Sequence, residues 1–136
     1  MEYFFVIKDS DIFENFLSEP KEYTLRPTVK GFVFDDENKI ALIWHPTEKY
    51  GLLPGGGVEE GEAFEEGFIR ECKEEIGCDI EIVSSLGTAV QFRAKDSRRY
   101  ETHFYIAKVV GEKGVPTTTQ EDELGIETRW MTIEEL

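Results

Sequence analysis

The sequence is short of cysteine and of positive charge, and each shortage narrows what the protein can be. Its two cysteines, Cys72 and Cys78, lie six positions apart and form no C-x-x-C pair. This layout favours two reduced, half-buried thiols over a disulfide or a thiol metal site. Lys and Arg number 15 against 29 Asp and Glu, which makes the formal net charge −14. Because such a chain repels a bare phosphate backbone, we expect no nucleic-acid partner.

Long hydrophobic runs are also missing. No stretch reaches the roughly eighteen apolar residues that a membrane span requires. The first residues, MEYFFVIKDSD, have no basic region and too short an apolar run for a secretion signal. We therefore expect no membrane contact and a cytoplasmic location. The 136 residues, with 40% apolar content, predict one globular domain spanning residues 1–136.

The periodicity of apolar residues predicts a mixture of strands and helices. The predicted strands cover 2–7, 28–35, 39–44, 79–94, 100–110 and 126–131. Helices are predicted at 9–18 and at 62–76, the second stopped by Gly77. The triple glycine at 55–57 predicts a loop before the second helix. Thr132 and Glu135 form a capping-box pattern for a further helix, so we expect a truncated or missing terminal element after it.

The helix predicted at 62–76 carries an apolar face beside a cluster of carboxylates. At about 100° per residue, its apolar side chains fall within an arc of about 140°. This arc predicts a core-facing stripe made of Phe64, Phe68, Ile69, Cys72 and Ile76. Glu71, Glu74 and Glu75 are spaced i, i+3 and i+4, so they project from neighbouring turns of an adjoining face. Such a cluster is either a solvated surface or a site for Mg²⁺ or Mn²⁺.

The glycine-rich segment before this helix favours the second alternative. Its backbone can approach an ion or a phosphate closely, because glycine has no side chain in the way. Between Gly56 and Cys78 the chain has eight glutamates against Arg70 and Lys73, a net charge of −6. Divalent cations could bridge this acidic region to an anionic ligand. Together these features predict a metal-bridged phosphate site.

From Gly56 onward the chain resembles the Nudix box, Gly-x5-Glu-x7-Arg-Glu-U-x-Glu-Glu-x-Gly-U, where U is a bulky aliphatic residue. The seven fixed positions are matched by Gly56, Glu62, Arg70, Glu71, Glu74, Glu75 and Gly77. The flanking segments LPGGGVEEGE and ELGIETRWMTIEEL resemble the family's entry to the box and its closing strand and helix. Cysteine occupies both U positions, and Phe68 replaces the small residue commonly found two before the arginine. These departures affect packing and leave the acidic positions intact.

The resemblance implies an α/β fold, an α/β/α sandwich around a mixed sheet, in which a loop–helix–loop segment holds divalent metal. It implies hydrolysis of a pyrophosphate bond in a nucleoside diphosphate linked to a group X. The substrate would be a small molecule such as a nucleoside triphosphate or a nucleotide sugar. The alternative is a module of the same fold that binds or senses a nucleotide without cleaving it. An intact box favours catalysis, and the protein could be a monomer or a homodimer.

Matching positions carry the family's roles onto this chain. The resemblance implies Mg²⁺, or Mn²⁺, held by Glu71, Glu74, Glu75 and the carbonyl of Gly56. Glu62 and Arg70 would support these ligands from behind. Glu71 is the first candidate for the general base. Some members use a glutamate on a later loop, for which Glu123 is the candidate, with Glu121 and Asp122 as rivals.

Residues that recognise the substrate are weakly marked. Four basic residues lie within seven positions and could contact a phosphate or a ribose: Arg93, Lys95, Arg98 and Arg99. The aromatic candidates for stacking on a base are Trp44, Tyr50, Phe92 and Tyr100. The favoured explanations are a solvated hairpin tip for the basic residues and ordinary core packing for the aromatic residues. His45 and His103 are isolated and are interpreted as sheet residues, not as metal ligands.

Overall fold

Within residues 3–8, 22–117 and 126–136, which the computed structural model describes, eight strands form one mixed sheet. The strands are β1 (Tyr3–Lys8), β2 (Thr24–Phe34), β3 (Ile40–His45), β4 (Tyr50–Leu52), β5 (Gly55–Gly57), β6 (Asp79–Arg93), β7 (Arg98–Val110) and β8 (Glu127–Met131). The helical elements are α1 (Phe64–Ile76) and a 3₁₀ turn at Ile133–Glu135. The helix predicted at 9–18 lies outside the described residues. A mixed sheet with a helix packed on it confirms the α/β class.

The order of the strands divides one edge of β2 between two partners. Along the sheet the order is β1-β6-β7-β2-β3-β4, with β5 added to β2 and β8 added to β3. Along one edge, all of β2 pairs in parallel with β7. Along the other edge, β2 pairs with β5 at 28–30 and with β3 only at Phe34. Between these two pairings, β2 and β3 separate. This opening lies directly beside the triple glycine.

The helix α1 has well-defined ends. At its start, the Glu66 carboxylate accepts a hydrogen bond from the Ala63 N–H at 3.0 Å. At its end, Gly77 has a φ of 69°, the left-handed conformation that glycine adopts most readily, and this confirms the predicted stop. The helix begins at Phe64, two residues later than predicted. Glu62 instead lies in the preceding turn, where its carboxylate accepts a hydrogen bond from the Glu59 N–H at 3.0 Å.

The apolar face of α1 covers the centre of the sheet. Phe68, Cys72 and Ile76 are at most 2% exposed and join the core cluster, and Phe64 packs against that cluster. The prediction that Ile69 belongs to this face was wrong, because its side chain is 43% exposed. No helix in the described ranges is long and apolar enough to cross a membrane.

The large Phe68 is accommodated by a glycine on the strand below it. A Cβ atom at Gly31 would overlap the Phe68 ring, so the missing side chain on β2 makes room for the extra volume on α1. The ring of Phe68 also stacks on Tyr105 of β7, with centroids 5.5 Å apart. The large side chain of Phe68 and the missing side chain at Gly31 therefore compensate each other in volume across the helix–sheet interface.

The predicted state of the cysteines is corrected in one respect. Cys72 and Cys78 are free thiols, as expected, but both are completely buried instead of half-buried. Burial raises the pKa of each thiol, which keeps both protonated at neutral pH. They act as small core residues at the two bulky positions of the motif.

Three segments differ from the sequence prediction. The triple glycine pairs with β2 as β5 instead of forming a loop, because Gly55 brings its backbone so close to β2 that a Cβ would collide with the Val29 carbonyl. β4 was not predicted. At the end of the described chain, Thr132 donates to the Glu135 carboxylate at 3.0 Å, and a 3₁₀ turn forms at Ile133–Glu135 in place of the predicted helix.

Candidate active site

The site is built where α1 lies against β5. The Gly55 N–H donates to Glu75 Oε1 at 2.7 Å, which ties the last turn of the helix to the strand. One residue along β5, the carboxylate of Glu71 lies directly over Gly56. A Cβ atom at that position would fall 2.7 Å from both Cδ and Oε1 of Glu71. The absence of a side chain at Gly56 therefore provides the space that the carboxylate occupies.

Arg70 joins the remaining acidic residues to the same strand. Its Nε and Nη2 donate to the two oxygens of Glu62 at 2.8 and 3.0 Å, and Nη2 also donates to the Gly57 carbonyl at 3.0 Å. Its Nη1 donates to Glu71 at 3.1 Å and to Glu74 at 3.2 Å. These bonds use all five N–H donors of the guanidinium. Arg70 thus contacts Glu62, Glu71 and Glu74 at once, and the support of metal ligands by Glu62 and Arg70 stays a prediction.

The electrostatics follow from these contacts. Hydrogen bonds to Glu62, and to a smaller extent to Glu71, raise the pKa of Arg70, although partial burial opposes this. In return, the hydrogen bond from Arg70 lowers the pKa of Glu62. Burial raises the pKa of Glu71, and the nearby Glu74 carboxylate adds to this, although Arg70 and Lys30 oppose it. At Glu71, the effect of burial on the pKa therefore outweighs the opposing effect of Arg70.

The donor atoms around Glu71 suit a hard divalent cation. Carboxylate and carbonyl oxygens are the ligands that Mg²⁺ takes in proteins, and Glu71, Glu74, Glu75 and the Gly56 backbone supply them. Their carboxylate oxygens do not all lie within 4.8 Å of one another in the described chain. Contacts already hold these side chains in place, Glu75 on Gly55 and Glu74 on Arg70. The residues fit a metal by the chemistry of their oxygens, and the missing side chain at Gly56 lets the Glu71 carboxylate lie against β5.

A tighter acidic group elsewhere has a structural explanation. Oxygens of Asp35, Asp36 and Glu37 lie within 4.8 Å of one another at the β2–β3 turn. Both oxygens of Asp35 are already used: Oδ1 accepts from the N–H groups of Glu37 and Lys39, and Oδ2 accepts from Lys113 Nζ at 2.8 Å. Burial tends to raise the pKa of Asp35, but these bonds outweigh it and lower the pKa. The Asp35 side chain therefore shapes the hairpin.

A cavity of about 190 Å³ adjoins the acidic cluster at the opening between β2 and β3. It is lined by Lys30, Ile43, His45, Leu52, Leu53, Glu75 and Ile126. A smaller cavity of about 80 Å³ shares His45 and Ile126 with it and extends toward Pro46, Thr47 and Glu48. Lys30 was not predicted as a site residue, because a single lysine in a strand of alternating apolar and polar residues is typical of a solvent-facing position. The separation of β2 from β3, which exposes it to the cavity, has no local sequence signal.

The predicted basic substrate residues lie around the β6–β7 turn. Arg93 is 4.0 Å from Asp96 and lies over the Tyr100 ring at 5.5 Å, and Arg98 donates to the Tyr100 hydroxyl at 3.4 Å. The cavity beside Glu75 is not lined by Arg93, Lys95, Arg98 or Arg99. Their role in substrate binding stays a prediction.

The aromatic candidates for stacking are placed differently from each other. Trp44 is covered by the guanidinium of Arg129 at 4.4 Å, and Tyr50 stacks on His45 with centroids 4.4 Å apart. Tyr50 thus borders the cavity through its contact with His45, without lining it. The later-loop acids Glu121, Asp122 and Glu123 lie outside the described residues.

The sequence that builds this site matches a known protein family. The model of the NUDIX domain family matches residues 24–136, which is most of the chain. The chain belongs to the Nudix family. A solved MutT NUDIX hydrolase from Burkholderia pseudomallei superposes with a TM-score of 0.66 at 22% identity, covering 83% of this chain and 87% of that one. At this identity the likeness establishes the shared Nudix fold alone.

Two curated relatives carry different substrates in their names. An RNA pyrophosphohydrolase of Wolbachia pipientis subsp. Culex pipiens is 39% identical over 64 residues, 46% of this chain and 38% of the relative. An ADP-ribose pyrophosphatase of Methanocaldococcus jannaschii is 43% identical over 58 residues, 40% of this chain and 34% of the relative. The matches thus span little more than a third of each relative. Membership of the Nudix family leaves the substrate of this chain open.

We expect Arg70→Lys to weaken Mn²⁺ binding about 10- to 100-fold, the range typical for loss of a residue that orients metal ligands. A lysine ammonium cannot bridge Glu62, Glu71, Glu74 and the Gly57 carbonyl at once. Titration of Mn²⁺ by calorimetry measures the effect. Arg26→Lys, at an exposed position of β2, is the matched control and should bind Mn²⁺ like the wild type. Equal affinity in both variants would show that the clamp does not organise the cluster.

Proposed function

We propose that this protein is a Mg²⁺-dependent Nudix hydrolase that cleaves a pyrophosphate bond in a nucleoside diphosphate linked to a group X. The substrate is a small nucleotide, either a nucleoside triphosphate or a nucleotide sugar. One observation carries the proposal. The carboxylate of Glu71 lies over Gly56 and accepts a hydrogen bond from Arg70, whose five donors are all used, while Glu75 of the same helix lines a cavity.

The metal would be held by Glu71, Glu74, Glu75 and the Gly56 carbonyl, with Mn²⁺ as a substitute for Mg²⁺. Bound there, it would offset the negative charge of the pyrophosphate and lower the pKa of an attacking water. The protein's own residues hold these carboxylates in position. Glu75 is fixed to β5 through the Gly55 N–H, and Arg70 holds Glu71 and Glu74 on the same side of the helix. These contacts limit the conformations of the three carboxylates before a metal and a substrate bind.

Glu71 is the proposed proton acceptor. The water oxygen attacks phosphorus while its proton passes to a Glu71 carboxylate oxygen, and the bridging P–O bond breaks with its electron pair going to the leaving phosphate. Partial burial, which raises the pKa of Glu71, makes it a stronger base than an exposed glutamate. Glu123, with Glu121 and Asp122 as rivals, is the alternative acceptor.

The proposal is tested with a panel of substrates in Mg²⁺ and in EDTA, with products separated by chromatography. The panel holds nucleoside triphosphates, nucleotide sugars, ADP-ribose, dinucleoside polyphosphates and a 5′-triphosphorylated RNA oligonucleotide. We expect turnover of at least one small nucleotide, only with metal. Turnover of the RNA alone would contradict our expectation of a small-molecule substrate. Tight binding of a nucleotide without any turnover would identify a sensor module instead.

Mg²⁺ should raise the melting temperature, because the ion binds the folded acidic cluster and not the unfolded chain. At about 100 times its dissociation constant, a ligand stabilises the folded state by about 2.7 kcal/mol. For a domain of this size, this corresponds to a rise of several degrees, on the order of 5 °C or more. Differential scanning fluorimetry in 10 mM MgCl₂ and in EDTA, at matched ionic strength, measures it. An identical midpoint in both would speak against a metal site.

A further inference from the structure

Lys30 lies at the point where β2 and β3 separate. It pairs with Gly55 of β5 on one side, and no described residue of β3 pairs with it. Its side chain reaches the segment before β5, where Nζ donates to the Leu53 carbonyl at 3.1 Å. The same side chain lines the cavity together with Glu75. A cation therefore stands at the wall shared by the acidic cluster and the cavity.

The charges around the cavity show why this cation matters. A pyrophosphate brought to Glu71, Glu74 and Glu75 adds several negative charges to three carboxylates. Arg70 cannot help to bind it without losing existing contacts, because all five of its donors are used by protein oxygens. Lys30 has three N–H donors, of which the structure directs one to Leu53. It is close enough to Glu71 for its charge to act on that carboxylate.

We propose that Lys30 is a substrate-binding residue whose ammonium donates a hydrogen bond to a non-bridging phosphoryl oxygen of the pyrophosphate. It thereby holds the phosphoryl group that faces the cavity. The inference rests on the proposed function for the identity of the anion. The remaining donors of Lys30 and its place at the cavity wall support it directly.

A purely structural role for Lys30 makes different predictions. If the lysine served only to hold Leu53, its removal would loosen the segment before β5 and weaken the whole site, including metal binding. If it binds the substrate, its removal takes a positive charge away from Glu71 and Glu75. Metal binding would then stay equal or become tighter, while binding of the anion becomes weaker. The two roles therefore differ in their effect on metal binding: loss of a purely structural lysine lowers the affinity for the metal, and loss of a substrate-binding lysine does not.

The experiment uses Lys30→Met, which keeps the length of the side chain and removes its charge. Calorimetry measures the affinity for Mn²⁺ alone and then for methylenediphosphonate, a pyrophosphate analogue that resists hydrolysis, in saturating Mn²⁺. We expect about a tenfold or greater loss of diphosphonate affinity, as for the loss of a charge-assisted hydrogen bond. The affinity for Mn²⁺ alone should be unchanged or higher.

Two further variants complete the design. Lys30→Arg keeps the cation and should retain diphosphonate binding better than Lys30→Met does. Lys108→Met removes an exposed strand lysine, paired at 3.7 Å with Glu81, and should bind the diphosphonate like the wild type. If Lys30→Met fails to fold, the comparison of Lys30→Arg and Lys30→Gln with wild type takes its place.

If Lys30→Met binds the diphosphonate with unchanged affinity, the inference is overturned. It is also overturned if the variant loses affinity for both Mn²⁺ and the diphosphonate and has a lower melting point. Kinetics separate this result from the proposed function. If the wild type turns over a nucleotide and Lys30→Met leaves KM and kcat unchanged, the function stands and the inference falls. If the wild type cleaves nothing but binds diphosphonate through Lys30, the inference stands and hydrolysis falls.

Discussion

Glu75→Gln should lower kcat by about 100-fold or more while the protein keeps its fold. The amide removes the negative charge needed for a divalent ion but leaves an oxygen that can still accept the Gly55 N–H. Loss of a residue that only orients a ligand already costs about 10- to 100-fold, and a direct ligand should cost more. Steady-state kinetics on the substrate found in the panel measures the effect. Glu74→Gln should behave in the same direction.

The control for this experiment is Glu65→Gln, on the same helix. Glu65 lies in the first turn of α1, is exposed, and is separate from the acidic cluster. Its variant loses one negative charge like Glu75→Gln and should turn over substrate at the wild-type rate. Normal turnover in both Glu74→Gln and Glu75→Gln, with melting points close to wild type, would refute the assignment of the metal ligands.

Gly56→Ala should abolish most of the activity with little loss of stability. The added methyl group would fall 2.7 Å from Cδ and Oε1 of Glu71, so the carboxylate has to move away from β5. The obstacle is the flexible end of a side chain, and the fold can therefore absorb the change by rotating Glu71. A displacement of about 1 Å at a catalytic group can cost about 100-fold in rate. Turnover and the thermal midpoint are measured together.

The neighbouring glycine provides a matched control. A Cβ atom at Gly57 meets nothing within 4 Å, so Gly57→Ala adds the same methyl group one residue away without disturbing Glu71. We expect Gly57→Ala to retain activity and Mn²⁺ binding close to wild type. Equal losses in the two variants would mean that the glycines serve the backbone of β5, and not the position of the Glu71 carboxylate.

Features with a short-range physical cause were predictable from the sequence. The end of α1 follows from Gly77, whose φ of 69° is costly for other residues. The buried positions Phe68, Cys72 and Ile76 follow from helical periodicity, and the spacing of Glu71, Glu74 and Glu75 places them on neighbouring turns whatever the rest of the fold does. The long strands β6 and β7 follow from the alternation of apolar and polar residues.

Predictions failed where a distant residue decides the outcome. Ile69 lies at the border of the apolar stripe, and the position of the sheet, which the helix pattern does not contain, leaves it exposed. The triple glycine reads as a loop because its partner, β2, lies 25 or more residues away in sequence. Phe68 replaces a small residue of the motif, and it fits because Gly31, on a distant strand, lies beneath it. Each case depends on a contact between segments that no local pattern encodes.

By itself, the sequence determined which groups carry the chemistry: a helix with three adjacent glutamates, an arginine beside them and glycines before them. Local helix geometry is sufficient for that, since neighbours at i, i+3 and i+4 are set by the helical repeat. Only the tertiary structure decided what these groups face. Pairing of β5 with β2 brings Gly56 under Glu71, and the separation of β2 from β3 turns Lys30 toward a cavity. Both depend on strand pairing between distant segments, where the free energy comes from contacts that a linear pattern does not specify.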